Sequence, residues 1–206
     1  TTADDAPLFT SGTLVLNMIG VADDGVVYAA NLVTDCATAP LVLYRWPNDG
    51  PDAVPEALGG VAELAIAERW GDTFDVRGRG ASTQILLGTR GLAPQEGRKF
   101  AVLSTADGFA FTGQIFTVAD APASGFGLNI AFGPENTVFG TANGQPLVHA
   151  AFNPADGSAV LARTYSAEQI PTAVSFFGFR ADGSLLAAVA LESPAKMGFI
   201  LPWQGA

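Results

Sequence analysis

The stretch TFDVRGRGASTQILLGTR (73–90) reads as a short alternating strand, a turn carrying Gly, and a second strand rich in small and β-branched residues. That is the pattern of a β-hairpin. The same figure recurs in NMIGVADDGVVYAAN (17–31), NIAFGPENTVFGTAN (129–143) and FFGFRADGSLLAAVAL (176–191). With Gly20, Asp75, Ala131 and Gly178 at one repeat position, the spacings are 55, 56 and 47 residues. A hairpin takes only about 15 residues, so each repeat has room for two more strands. The sequence supplies candidates: PLVLYRW (40–46) and VAELAIA (61–67), RKFAVLS (98–104) and GQIFTVA (113–119), then QPLVHAAF (145–152) and SAVLARTY (158–165). The turns TADG (105–108) and PADG (154–157) carry Asp-Gly pairs, a short-range hairpin signal.

Four antiparallel strands recurring at about 50 residues is the signature of propeller blades. The prediction is therefore an all-β chain, a β-propeller of about four four-stranded antiparallel blades. It forms one domain over 1–206, with blades near 12–67, 71–119, 125–165 and 172–203 and an N-terminal segment at 1–11. The innermost strand of a blade is crowded by its neighbours, which suits small residues such as Gly20, Ala131 and Gly178. The fourth repeat offers only one strand after its hairpin, KMGFILPW (196–203). Either APLFT (6–10) supplies the outer strand and closes a four-bladed ring, or the chain is an arc of a larger propeller. An open arc would expose edges and apolar faces, favouring association.

Composition agrees with a globular β protein. Hydrophobic residues make up 49% of the 206 and charged residues 15%, enough apolar material for a sizeable core. The net charge of −10 opposes binding to nucleic acid or anionic lipid over most of the surface. Even so, Arg69, Arg77, Arg79, Arg90, Arg98 and Lys99, six of the ten basic residues, fall in one 31-residue window. No apolar run approaches the ~18 residues of a membrane-spanning helix. Cys36 is the single cysteine, which excludes an intrachain disulfide and a cysteine-rich metal centre. The start, TTADDAP, is small, polar and acidic, as at a mature N-terminus after signal cleavage or in a linker.

The blocks LNMIGVADDGVVYAANL, YRW, RWGDTFDVRGRGASTQILLGTR and GFGLNIAFGPENTVFG resemble an uncharacterised family of secreted bacterial β-propeller-like domains, often found in large surface or exported proteins. The likeness covers most of residues 12–192, with RWGDTFDVRG and NMIGVADDG its most specific parts; MGFILPWQGA departs from it. Members of that family are longer, which favours the arc. The resemblance implies the fold and export, to the cell surface, periplasm or medium. It carries over no catalytic residue.

The chemistry concentrates in RWGDTFDVRGRG (69–80). On a strand, Asp75, Arg77 and Arg79 share one face and Asp72 the other. An Asp75–Arg77 ion pair would staple the blade or recognise an anionic group. Positions equivalent to Asp72 are Asn17, Leu128 with Asn129 beside it, and Ser175, so Asn17, Asp72, Asn129 and Ser175 would ring the channel mouth. Candidate ligand-binding residues are thus Asn17, Asp72, Asp75, Arg77, Arg79, Asn129 and Ser175. A glycosidase would use Asp72 or Asp75 with another acid brought near by folding. The lone histidine, His149, lies in a strand, and no G-x-S-x-G elbow accompanies it. Asp23-Asp24-Gly25 and Asp182-Gly183 are fragments of a calcium loop without its full spacing, and read as turns. Trp46, Trp70 and Trp203 sit near strand ends, where an indole seals a junction or stacks on a sugar. The GFG of 125–127 precedes no helix and is a turn, not a phosphate loop.

These readings imply no metal, no cofactor and no assigned catalytic residue. The leading expectation is a non-catalytic, exported propeller that scaffolds or binds a protein or glycan. The alternatives are a carbohydrate-active or other hydrolytic enzyme with acids at the channel mouth, and a structural subunit completed by other chains.

Overall fold

A computed structural model describes residues 16–48, 50, 52–92, 95–142 and 145–165, together with the backbone of three later strands. The chain is all-β. Sheet I is β1 (Leu16–Val21), β2 (Val27–Asn31), β3 (Val42–Trp46) and β4 (Glu56–Gly60). Sheet II is β5 (Thr73–Arg77), β6 (Gln84–Gly88), β7 (Lys99–Thr105) and β8 (Phe111–Thr117). Sheet III is β9 (Asn129–Phe132), β10 (Thr137–Thr141), β11 (Val148–Asn153) and β12 (Ser158–Thr164). Sheet IV shows β13 (Val174–Phe179), β14 (Leu185–Val189) and β15 (Met197–Leu201). Each is an antiparallel meander in chain order. The only helical turns among the described residues are two short 3-10 segments, Ala62–Leu64 and Gly80–Ser82, and no helix is long and apolar enough to cross a membrane.

The four hairpins of the repeat form in register, with Gly20 opposite Tyr28, Asp75 opposite Leu86, Ala131 opposite Phe139 and Gly178 opposite Leu186. The Asp-Gly turns are held by their aspartates. Asp107 Oδ1 accepts from the N–H groups of Phe109 and Ala110 at 2.8 Å each, and Asp156 Oδ1 from Ser158 N–H at 2.9 Å. The fourth strand of sheet I differs from expectation. It is Glu56–Gly60, while the alternating segment 61–67 leaves the sheet in a 3-10 turn that drives Leu64 into the core at 0% exposure. The segments 1–11, APLFT (6–10) included, and Trp203 lie outside the described residues.

The sheets stack in series through their first strands: β1 packs on β5, β5 on β9 and β9 on β13. Among the described residues the series is not seen to close into a ring. One core fills the space between sheets I and II, built on Tyr28, Leu43, Trp70, Phe74, Ile85 and Leu87. A second fills the space between sheets II and III, with Leu86, Phe100, Phe116, Ile130, Phe132 and Phe152. In β6, Ile85 and Leu87 enter one core and Leu86 the other, so a strand covered on both faces reads as a continuous apolar run. The second core is aromatic: Phe100 meets Phe116, Phe126 and Phe152 at centroid distances of 5.1, 5.3 and 5.7 Å.

Close approach of the first strands explains Gly20. A Cβ there would lie 2.6 Å from Val76 Cγ2 and 3.2 Å from the Phe74 ring, so the residue must be small for β1 to reach β5. By the same register, Ile19 and Val21 correspond to Phe74 and Val76 of sheet II and to Ile130 and Phe132 of sheet III. Phe74, Ile130 and Phe132 are buried against the preceding sheet at 6%, 2% and 7% exposure, whereas Ile19 and Val21 stand 65% and 56% exposed.

Candidate functional site

The segment 69–80 is the joint between sheets I and II. Before β5, Trp70 and Val33 exchange backbone hydrogen bonds at 3.0 Å, and Asn17 Nδ2 donates to Gly71 O at 2.8 Å. Asp72 precedes the strand instead of lying within it. Its carboxylate receives Arg69 in bidentate fashion, Nε to Oδ2 and Nη2 to Oδ1 at 2.5 Å each, with Arg90 Nη1 3.6 Å from Oδ1. The staple expected of Asp75 and Arg77 is therefore made by Arg69 and Asp72. A nearly buried, planar, charge-assisted pair fixes the corner that feeds β5.

Asp75 and Arg77 instead reach toward sheet III. They feel each other's charge but form no contact ion pair. Asp75 Oδ2 accepts Phe132 N–H at 2.7 Å and Oδ1 accepts Val76 N–H at 2.9 Å. Burial raises the Asp75 carboxyl above the usual range, against the pull of those two donors and of Arg77. Arg77 donates from Nη1 to Glu135 O at 2.9 Å and from Nε to Gln84 Oε1 at 2.8 Å, and its guanidinium lies 4.0 Å from the Phe132 ring centroid. Burial lowers its basicity. Gly78 ends the strand at φ +79, where a Cβ would come within 2.2 Å of Ser82 O. This confines the shared face to Asp75 and Arg77; Arg79 lies past the strand, exposed.

The aspartates of ADDG close the same joint from sheet I. Asp23 Oδ2 accepts Gly78 N–H at 3.1 Å and Asp24 Oδ2 accepts Gly80 N–H at 2.9 Å. Their carboxylates thus serve the RGRG backbone, as turn residues do; Asp182 and Gly183 lie outside the described residues. At the sheet II–III joint, Thr73 Oγ1 donates to Phe126 O at 3.0 Å, again linking a first strand to the backbone that leads into the next sheet. Of the expected ring, Asn17 and Asp72 meet around Gly71. Asn129, in β9, receives Ile130 N–H at 2.9 Å, and the Ser175 side chain lies outside the described residues.

Other singled-out residues are structural. Trp46 and Trp70 are buried at 9% and 0% exposure and seal the sheet I cores. His149 is buried and stacked on Phe139 at 4.4 Å between centroids; burial, then Arg163, lowers its imidazole to about 4. Cys36 is buried, and burial raises its thiol. Among the described residues no three His, Cys, Asp or Glu side chains gather as metal ligands.

Four of the six cations of the window are paired with acids in or beside it, Arg69 and Arg90 with Asp72, Arg98 with Glu96 and Lys99 with Glu68. Lys99 Nζ pairs with Glu68 Oε1, and Arg98 Nη1 lies 3.4 Å from Glu96 Oε2. These four residues with Gln95 line a cleft of about 440 Å³ beside the start of β7. The loop carrying Gln95 and Glu96 is shaped by Gly97 at φ +64, whose Cβ would meet Gly91 N at 2.2 Å. It is pinned by Ser124, which donates its N–H to Glu96 O at 2.9 Å and accepts Gly91 N–H on Oγ at 2.8 Å. Glu68 is only 4% exposed. Reading the sequence for carboxylates drew attention to Asp72 and Asp75; the one signal for Glu68 is a charge placed in the apolar run LAIAERW.

These features define a class: an all-β chain of antiparallel sheets packed in series through their first strands. No family model matches the chain, and no curated protein matches it.

Proposed function

We propose that the chain is a β-propeller-type scaffold whose sheets are blades, exported from the cell and acting by binding, not catalysis. The first-strand succession β1, β5, β9, β13 supports the propeller reading, since radial stacking of meanders is how such blades meet. One observation carries the non-catalytic reading: Asp72 and Asp75, the acids that the sequence offered to a hydrolase, are committed to joints. Asp72 is locked to Arg69 and Asp75 spends both oxygens on backbone N–H groups. A general acid or nucleophile needs a free oxygen facing substrate. Export rests on the family resemblance.

Asp72→Asn and Asp75→Asn test this. Both variants are expected to lower the melting temperature, with no turnover by wild type or variant on glycoside and ester substrate panels. A wild-type turnover that disappears in both folded variants would establish the hydrolase instead.

The exposed Ile19 and Val21 favour a second reading, assembly with a further blade of the same kind, because their counterparts Phe74, Ile130 and Phe132 are buried and Val76 is partly so. Light scattering across a concentration series should then show association that Ile19→Ser with Val21→Ser abolishes. A monomer at every concentration removes that reading.

A further inference from the structure

Three residues that line the cleft beside β7 each carry a buried polar atom without a hydrogen-bond partner: Glu68 Oε2, Gln95 Oε1 and Arg98 Nε. Folded proteins seldom leave such groups unpaired, because an unmade bond costs the full desolvation of the group. The neighbouring groups are already occupied: Glu68 Oε1 by Lys99, and Arg98 Nη1 by Ala119 O at 3.1 Å and by Glu96. What remains is two acceptors and one donor.

The charge around them cancels, two carboxylates against one guanidinium and one ammonium. Lys99 and Arg98 oppose a metal cation, and Glu68 and Glu96 oppose an anion. A neutral group able both to donate and to accept fits, which is the property of a hydroxyl. One hydroxyl can donate to Glu68 while its neighbour donates to Gln95 and accepts from Arg98 Nε. A cleft of about 440 Å³ lies in the size range of small-molecule sites. Ala67 and Ala119 add apolar wall for the C–H face of a ring.

We propose that this cleft binds a glycan through vicinal hydroxyls, held by Glu68, Gln95 and Arg98. The inference rests on the binding-module reading above and names its ligand class. The residues come from three segments: Glu68 from the approach to the sheet I–II joint, Gln95 from the β6–β7 loop and Arg98 from the start of β7. Lys99 orients Glu68 and is a positioning residue.

The test is a nitrogen–proton correlation titration of the full chain with glucose, galactose, mannose, N-acetylglucosamine and cellobiose, following the Gln95 side-chain amide and the Arg98 Nε–H. At least one sugar should give saturable shifts at both reporters. Gln95→Ala, which removes an unpartnered side chain and so leaves the fold intact, should weaken that sugar by roughly 3- to 10-fold, the worth of one hydrogen bond. Glu68→Gln should weaken it further while the amide spectrum remains dispersed. No saturable shift with any of the five sugars, or shifts unchanged in Gln95→Ala, would overturn the proposal. So would water exchange signals at these atoms with no response to sugar, which would identify an ordered water only. Cleavage of cellobiose in the same tube would end the non-catalytic reading while leaving the cleft assignment to the shift data, so the two failures are separable.

Discussion

Acid should unfold this protein earlier than its carboxylates alone require, through His149. The imidazole is 3% exposed, flat against Phe139 at an interplanar angle of 11°, and opposite Arg163 across the β11–β12 pair. Burial and that arginine lower it from 6.5 to about 4. The sign follows directly: the folded state resists the proton that the unfolded chain accepts, so the contribution is full above pH 6.5 and is lost as pH falls through about 4. At about 1.4 kcal/mol per pKa unit, the complete loss is about 3 kcal/mol, with about 2 kcal/mol already gone near pH 5. For a chain of this size, about 2 kcal/mol lowers the melting temperature by about 4–8 °C. Asp75 acts in the opposite sense. Its raised carboxyl stabilises below its unfolded value and the contribution fades as pH rises through the folded one, so it partly offsets the loss at the acid end. Because His149 is the only histidine, its ring protons can be followed without ambiguity during a pH titration, alongside urea unfolding of wild type and His149→Phe. The wild type should lose stability between pH 6.5 and 4 more steeply than the variant. A ring titrating near 6.5 in the folded protein, or parallel pH profiles for the two chains, would refute the reasoning.

Two further outcomes follow from packing. Gly20→Val should destabilise by about 1–3 kcal/mol, since the new Cβ meets Val76 Cγ2 at 2.6 Å, and Val76→Ala in the same chain should recover part of that loss; additive penalties in a double-mutant cycle would show that β1 does not press on β5 at this point. Cys36, buried with its thiol raised, should react with a thiol reagent only at the rate of unfolding, and native-state labelling as fast as labelling in urea would contradict its placement.

The hairpins were legible because each combines local apolar alternation with a turn whose aspartate satisfies its own backbone, as Asp107 does. The repeat spacing then announced further strands in each unit. What misled was a purely local pattern: 61–67 alternates like a strand, yet Leu64 is taken by the inter-sheet core and the edge pairing passes to 56–60, where Gly60 sits opposite Val42 and Glu56 opposite Arg45. In RWGDTFDVRGRG the face rule held only inside β5. Gly71 and Gly78, at φ +90 and +79, bracket the strand, so Asp72 and Arg79 fall outside its alternation.

Asp72 and Glu96 pair with basic residues two or three positions away, whereas the long-range partners could not be found by spacing, because they depend on which loops the stacking brings together. Glu68 lies 31 residues from Lys99, and Asp75 lies 57 from the Phe132 N–H that it accepts. The same stacking decides which polar groups are used and which are left over. At the joints, Asn17, Thr73, Asp23, Asp24 and Asp75 spend their polar atoms on the backbone of the next sheet, which makes them part of the scaffold. Beside β7, the loop held by Ser124 brings Gln95 near Glu68 and Arg98 without satisfying them. The carboxylates that join sheets have their oxygens taken by backbone or arginine, and a binding site belongs where a rigid frame holds unsaturated groups. By that criterion the conspicuous aspartates of the sequence make the frame, and the inconspicuous Glu68 and Gln95 face the ligand.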